Sequence, residues 1–493
     1  MIENKELVMP IVTFDKEDGW DTIKDITYPH LDSEGFDFLK KALAESASSV
    51  AVEKHYLDKD YRDTFTGYHA RKFATPDSRC IRLHFFGASI TADQLANAVD
   101  EEKKKELQYL GYSIIRPTRP NCIGRTMLSP AAQKHCSGHI CLSQEEVSIQ
   151  GTRLEVQGFP FIKQDTDATV CAESALWMLL RYFSNRYPQY KEFYPFEITN
   201  LTKDYSLGRI FPSAGLHTWQ MGEALRLAGF HPLIYESEFF SANFKQLLYT
   251  YIESGFPLLI VFEDHVVVGF GHDSDFNKLK NESEVNKDWY CSSEFNTAFV
   301  INDDNKVPYM LLKDTSDGDN FESRYRFKNI EAFIVPLPEK VFLPAEAFQD
   351  AAVTILRFND VFNVQSKSAI FDDAQLILRS YLTTCRSFKE NLRERTMGHK
   401  LVENIYRQLP LPHFIWVCEI SQPDLYPEYA VGEILWDATR NGEEPEGLIA
   451  VHYPVYFAYD LGNCTNQPFY LEEISLTESN PYATFRSNLW PVK

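Results

Sequence analysis

Four residues have the types and spacing for chemistry: Gln164, Cys171, His265 and Asp303. A cysteine attacks as its thiolate, and a helix N-terminus or a neighbouring base lowers its pKa towards that form. Cys171 stands at the mouth of an apolar run, QDTDATVCAESALWMLLRYF, over residues 164–183. Leu176, Leu179, Leu180 and Phe183 recur at helical spacing there. The pattern predicts a helix that buries one face and presents Cys171 at its exposed end. Attack on a carbonyl also creates an oxyanion that needs donors. The Gln164 amide and the Cys171 backbone N–H are the candidates. Taken alone, the stretch reads first as a core helix with an incidental cysteine, because free Cys often acts as a small hydrophobe.

The partners lie downstream. GFPLLIVFEDHVVVGFGHD predicts two strands joined by a tight turn at residues 263 and 264, with His265 opening the second strand. AFVINDDNKVPY predicts a strand that ends in polar residues, and Asp303 follows it directly. A carboxylate there can accept from the imidazole, fix its tautomer and stabilise the imidazolium. Asn302 and Asp304 are rivals for that role, and an Asp pair also suits a plain turn.

The order Gln, Cys on a helix, His on a strand and then Asp resembles the papain-like clan of cysteine peptidases. The texts QDTDATVCAESALWMLLRYF, HVVVGFGHD and INDD are most similar to its bacterial bacteriocin-processing branch. GLHTWQMGEALRLAGFHP resembles the helix and Gly-Phe turn of such domains. The likeness covers about 180 residues. It implies a papain-like catalytic domain with Cys171 as nucleophile, His265 as general base and acid, Asp303 orienting the imidazole, and Gln164 in the oxyanion hole. It implies no cofactor and no metal. This chain departs from the branch in placing Ala172 and Glu173 after the cysteine, in a Gln-to-Cys gap of seven, and in a long polar insertion between His265 and Asp303. The resemblance implies a peptidase working through a thioester. The same triad also serves deamidases, acyltransferases and isopeptidases, and a catalytically silent scaffold is the non-enzymatic alternative.

The rest of the chain must position these residues. At 493 residues it is long enough for about three domains. The expected organisation is α/β (α+β): a mixed α/β unit over 1–155, the catalytic domain over 156–338, and a second mixed α/β unit over 345–493. The prolines at 336, 338 and 344 suggest a connector. In the first unit, RCIRLHFF reads as a strand. TADQLANAVDEEKKKELQYLGY reads as one helix, capped by Thr91 and stopped by Gly111. In the last unit, residues 372–409 and PEYAVGEILWDATR read as helical, HFIWVCEIS as a strand, and EGLIAVHYPVYFAYD as a strand or hairpin. KHCSGHICL gathers His135, Cys136, His139 and Cys141 within seven residues. That spacing matches no standard zinc knuckle, so a turn between strands with part-buried cysteines is expected.

The net charge of −21 argues against a general phosphate-binding surface, so no nucleic acid is expected. No run is long and apolar enough to span a bilayer, and the N-terminal residues do not read as a secretory signal. The expectation is a cytoplasmic protein with reduced thiols, a protein or peptide substrate, and flanking domains available to protein partners.

Overall fold

The computed structural model describes residues 9–492 apart from 15–18, 119–120, 166–169, 206–214, 278–286, 314–325, 359–363, 365–370, 372–374, 396, 442–446, 462–470 and 478–479. Helix and strand are balanced at 32% and 33%, so the fold is mixed α/β. The described strands form three large sheets and one two-stranded ribbon.

The first sheet has seven strands, with Ile11–Thr13 at one edge and Ser143–Ile149 at the other, and is antiparallel throughout. The second carries the candidate site. Its central strands are Leu258–Phe262 and His265–Ser274, flanked by Asn296–Asn302 on one side and by Ala332–Pro338 and Phe230–Glu236 on the other. The third has seven strands, mostly from residues 376–475.

Three short strands cross between these units. Gly138–Ile140 leaves the first unit and pairs with the histidine strand, His139 opposite His272. Trp490–Val492, near the chain's end, pairs with Gly138–Ile140. Trp289–Cys291 runs parallel to Leu376–Thr384 in the third sheet. KHCSGHICL is therefore a turn at residues 134 and 135 followed by the short strand Gly138–Ile140, with Cys136 and Cys141 buried beside it. The eight described cysteines form no disulfide.

Several expectations need correction. Residues 376–384, read as helix, are a strand, and so are Tyr429–Ala430 and Gly432–Asp437. Leu376, Leu378 and Leu382 enter one core while Ile377 and Tyr381 enter others. A strand covered on both faces has no alternation to read, so its apolar run imitates a helix. The helical part of that stretch is confined to Cys385–Arg395 and Lys400–Gln408.

The expected helix after Thr91 is two short ones, Ala92–Ala96 and Glu101–Glu106. Thr91 does cap the first, in a reciprocal box with Gln94. Asp100 starts the second by accepting from the Lys103 N–H at 2.9 Å. Gly111 stops neither helix. It sits in the strand Tyr109–Ile115 at φ +120°, where a Cβ would lie 2.0 Å from the Met127 carbonyl oxygen.

Pro336 and Pro338 lie inside the strand Ala332–Pro338, so the connector begins only after them. Pairing with Leu258–Phe262 ends at Ile334, and from Val335 to Pro338 only Phe230–Glu236 is paired. The prolines thus occupy positions where one side of the ladder is already open.

Candidate active site

The cysteine helix is Cys171–Arg186. It is buried all round rather than on one face, since every residue from Ala172 to Phe183 is buried. The first unit supplies the polar grip. Asp60, on the helix Lys59–Gly67, accepts from Trp177 Nε1 at 2.9 Å and from Arg181 Nη2 at 2.7 Å. At the other end the N-cap residue Val170 offers no side-chain acceptor, and the first turn closes with the Ser174 N–H on the Val170 carbonyl at 2.9 Å. The N–H groups of Cys171 and Ala172 therefore have no acceptor within the helix, and they point out at the positive end of its dipole.

His265 opens the strand His265–Ser274 after a two-residue turn, paired opposite Phe262, as expected. It is 5% exposed. Its Nε2 lies 2.9 Å from Asp303 Oδ1 and 3.7 Å from Asp304 Oδ1. The Cys171 thiol lines the same cavity as the imidazole and contributes to raising its pKa. With Nε2 taken by Asp303, the Nδ1 side is left for the thiol. Burial pulls the imidazole pKa down. The Asp303 hydrogen bond and the Cys171 thiol, with the charges of Asp303 and Asp304, override it and raise the pKa to about 10.

The three acid rivals separate cleanly. Asn302 turns away: its amide donates to the Pro160 carbonyl at 3.3 Å, and its oxygen accepts from the Tyr309 N–H at 2.9 Å. Asp303 Oδ1 accepts from His265 and also from the Asn305 N–H at 2.8 Å. Asp304 stands behind, 1% exposed. Burial pushes its carboxyl pKa up to about 7; the His265 charge opposes this and the Asp303 charge adds to it.

Gln164 is half-buried beside the same loop. Its Nε2 donates to Asn305 Oδ1 at 2.8 Å, and it is not among the residues lining the cavity. The structure thus brings Cys171, His265 and Asp303 together and directs the Gln164 amide towards the acid loop.

Beside the Cys–His pair opens a cavity of about 830 Å³. Its wall includes Thr199, Thr202, Trp219, Glu263, Asp264 and Glu331, none of which the sequence singled out. For Trp219 a signal existed: it sits in the recognised GLHTWQM stretch, on the helix Thr218–Leu227. Glu331 is joined to the site only by sheet pairing, its N–H donating to the Val261 carbonyl. His265, Asp303 and Asp304 also place potential metal-ligand atoms within 4.8 Å of one another. In that set the imidazole and Asp303 already meet at hydrogen-bond distance.

No family model, curated protein or solved structure matches the chain. Among the described residues no helix is long and apolar enough to cross a membrane.

Proposed function

We propose that this chain is a papain-like thiol hydrolase that cleaves peptide bonds through Cys171, His265 and Asp303. One observation carries the reading: a thiol at a helix start lines a cavity together with an imidazole that is hydrogen-bonded to a buried carboxylate. Nucleophile, base and orienting acid stand in the relation that acyl transfer requires.

In the proposed mechanism His265 already holds the thiol proton as an imidazolium when Cys171 Sγ attacks the substrate carbonyl carbon. The Cys171 and Ala172 N–H groups receive the oxyanion. Collapse breaks the C–N bond, and His265 passes its proton to the departing amine, leaving a thioester on Cys171. His265 then takes a proton from water, the hydroxide attacks the thioester, and Cys171 leaves as the thiolate with the proton still on His265. Asp303 holds the imidazolium through each step, and the flanking units recruit substrate.

The test is alkylation of the full chain with iodoacetamide at neutral pH, followed by peptide mapping. Cys171 should label faster than a free-thiol control, and His265→Ala should remove the advantage. Labelling no faster than the control sinks the reading in favour of a scaffold. Incubation of wild type and Cys171→Ala with candidate proteins, read by intact mass, separates chemistries: a chain break indicates a peptidase, a gain of about one dalton a deamidase.

A further inference from the structure

We propose that the cavity selects substrates that present a basic side chain, lysine or arginine, beside the bond under attack. The inference rests on the thiol-hydrolase reading above and adds a substrate class to it.

Four carboxylates line the cavity: Glu173, Glu263, Asp264 and Glu331. Among the described lining residues there is no lysine or arginine. Glu263 and Glu331 form no ion pair with any described residue. Among the described lining residues the only possible cations are imidazoles. One is His265, whose charge is already answered by Asp303 and Asp304, and the other is His217. The described lining therefore carries net negative charge, and a concave site focuses such a field on whatever enters.

The apolar part of the wall fits the same ligand. Trp219 is 51% exposed and Tyr205 37% exposed, and both line this cavity. A half-exposed indole offers its face to an aliphatic stem and, at the stem's end, to a cation. An acidic side chain would meet carboxylates, and a purely apolar one would offer Glu263 and Glu331 no cation. Lysine and arginine satisfy the aromatic and the acidic surfaces together. The cavity lies at the thiol, so the basic residue sits next to the scissile carbonyl rather than at a remote subsite.

The experiment uses the full chain and peptidyl acyloxymethyl ketones. They are identical except for lysine, leucine or glutamate at the residue that carries the reactive carbonyl. Covalent labelling of Cys171 is followed by intact mass, with iodoacetamide as the small neutral reference. The lysine probe is expected to label about tenfold faster than leucine, with glutamate slowest. The ratio should shrink at about 1 M salt, where the Debye length falls to about 3 Å. Glu331→Gln combined with Glu263→Gln should pull the lysine-to-glutamate ratio towards one. If iodoacetamide labels Cys171 rapidly but lysine and glutamate probes react alike, the selectivity is refuted and the hydrolase reading stands. If Cys171 shows no enhanced reactivity to any reagent, the hydrolase reading falls and the selectivity falls with it.

Discussion

Asp303→Asn tests the electrostatics of the triad through stability, without any knowledge of the substrate. The His265 proton is held with a pKa of about 10 in the folded chain, against 6.5 for a free imidazole. A group whose folded pKa is raised contributes fully below its unfolded pKa. It loses that contribution as pH rises through the folded value. At pH 7 the folded imidazole is about three pH units below its pKa, worth a ceiling of about 4 kcal/mol at 1.36 kcal/mol per unit. At pH 10 the same group is half titrated and contributes well under about 1 kcal/mol. Cys171 and Asp304 share in the shift, so neutralising Asp303 alone should remove only part of the ceiling, roughly 2 kcal/mol at pH 7. The asparagine oxygen can still accept from Nε2, so geometry is largely kept while the charge is lost. Urea unfolding of wild type and variant at pH 7 and pH 10 reads the difference directly. The expected result is a clear loss at pH 7 that closes by pH 10. A loss of equal size at both, or none at pH 7, refutes the claim that Asp303 stabilises an imidazolium.

Asp304→Asn should act in the opposite sense. A raised carboxyl pKa costs stability as pH climbs from about 3.8 through about 7, so the variant should melt higher than wild type at pH 8 and alike at pH 4; an unchanged Tm at pH 8 counts against the buried charge. Gln164→Ala is expected to lower kcat less than about tenfold, because its amide is held by Asn305; a loss of about a hundredfold or more would restore it to the oxyanion hole. Asp60→Ala should destabilise the chain by about 3–5 kcal/mol in urea, since it leaves the buried Arg181 and Trp177 without their shared acceptor; a loss under about 1 kcal/mol would show that Glu192 alone suffices for Arg181. Incubation with EDTA should leave Cys171 reactivity and any cleavage unchanged, and loss of both on chelation would favour a metal on His265, Asp303 and Asp304.

The parts of the site that were legible share one property: local pattern and final position coincide. The Cys171 helix, the turn at residues 263 and 264 and the strand end before Asp303 are each written in a few consecutive residues. The choice of Asp303 over Asn302 and Asp304 was not, because it depends on which way three adjacent side chains point at a strand end. Asn302 is drawn off by Pro160 and Tyr309, contacts about 142 and 7 positions away. Two strands of the third sheet, Leu376–Thr384 and Gly432–Asp437, were misread for a different reason. They bury both faces, and a run such as LILRSYLTT loses the alternation that marks a strand. Glu331 and Glu263 meet at one cavity only because strands far apart in sequence are neighbours in the sheet.

The three candidate catalytic residues are each braced by structure outside the middle segment. The Cys171 helix is gripped through Trp177 and Arg181 by Asp60 of the first unit. The loop carrying Asp303 ends at Tyr309, whose hydroxyl donates to the Leu128 carbonyl at 2.6 Å and accepts from the Phe159 N–H at 2.8 Å, both on the first sheet. The His265 strand continues to His272, which is paired to Gly138–Ile140 and bonded to Glu253. Glu253 is in turn bound by Arg379 of the third sheet, and Arg379 also reaches Glu419 at 2.6 Å. All of these charges are buried, so removing either flank would strand a charge in apolar surroundings at a cost of several kcal/mol. The placement of thiol, imidazole and carboxylate is therefore a property of all three sheets together. A segment cut at 156 and 338 would lose the Asp60 grip, the Leu128 anchor and the Arg379 partner at once.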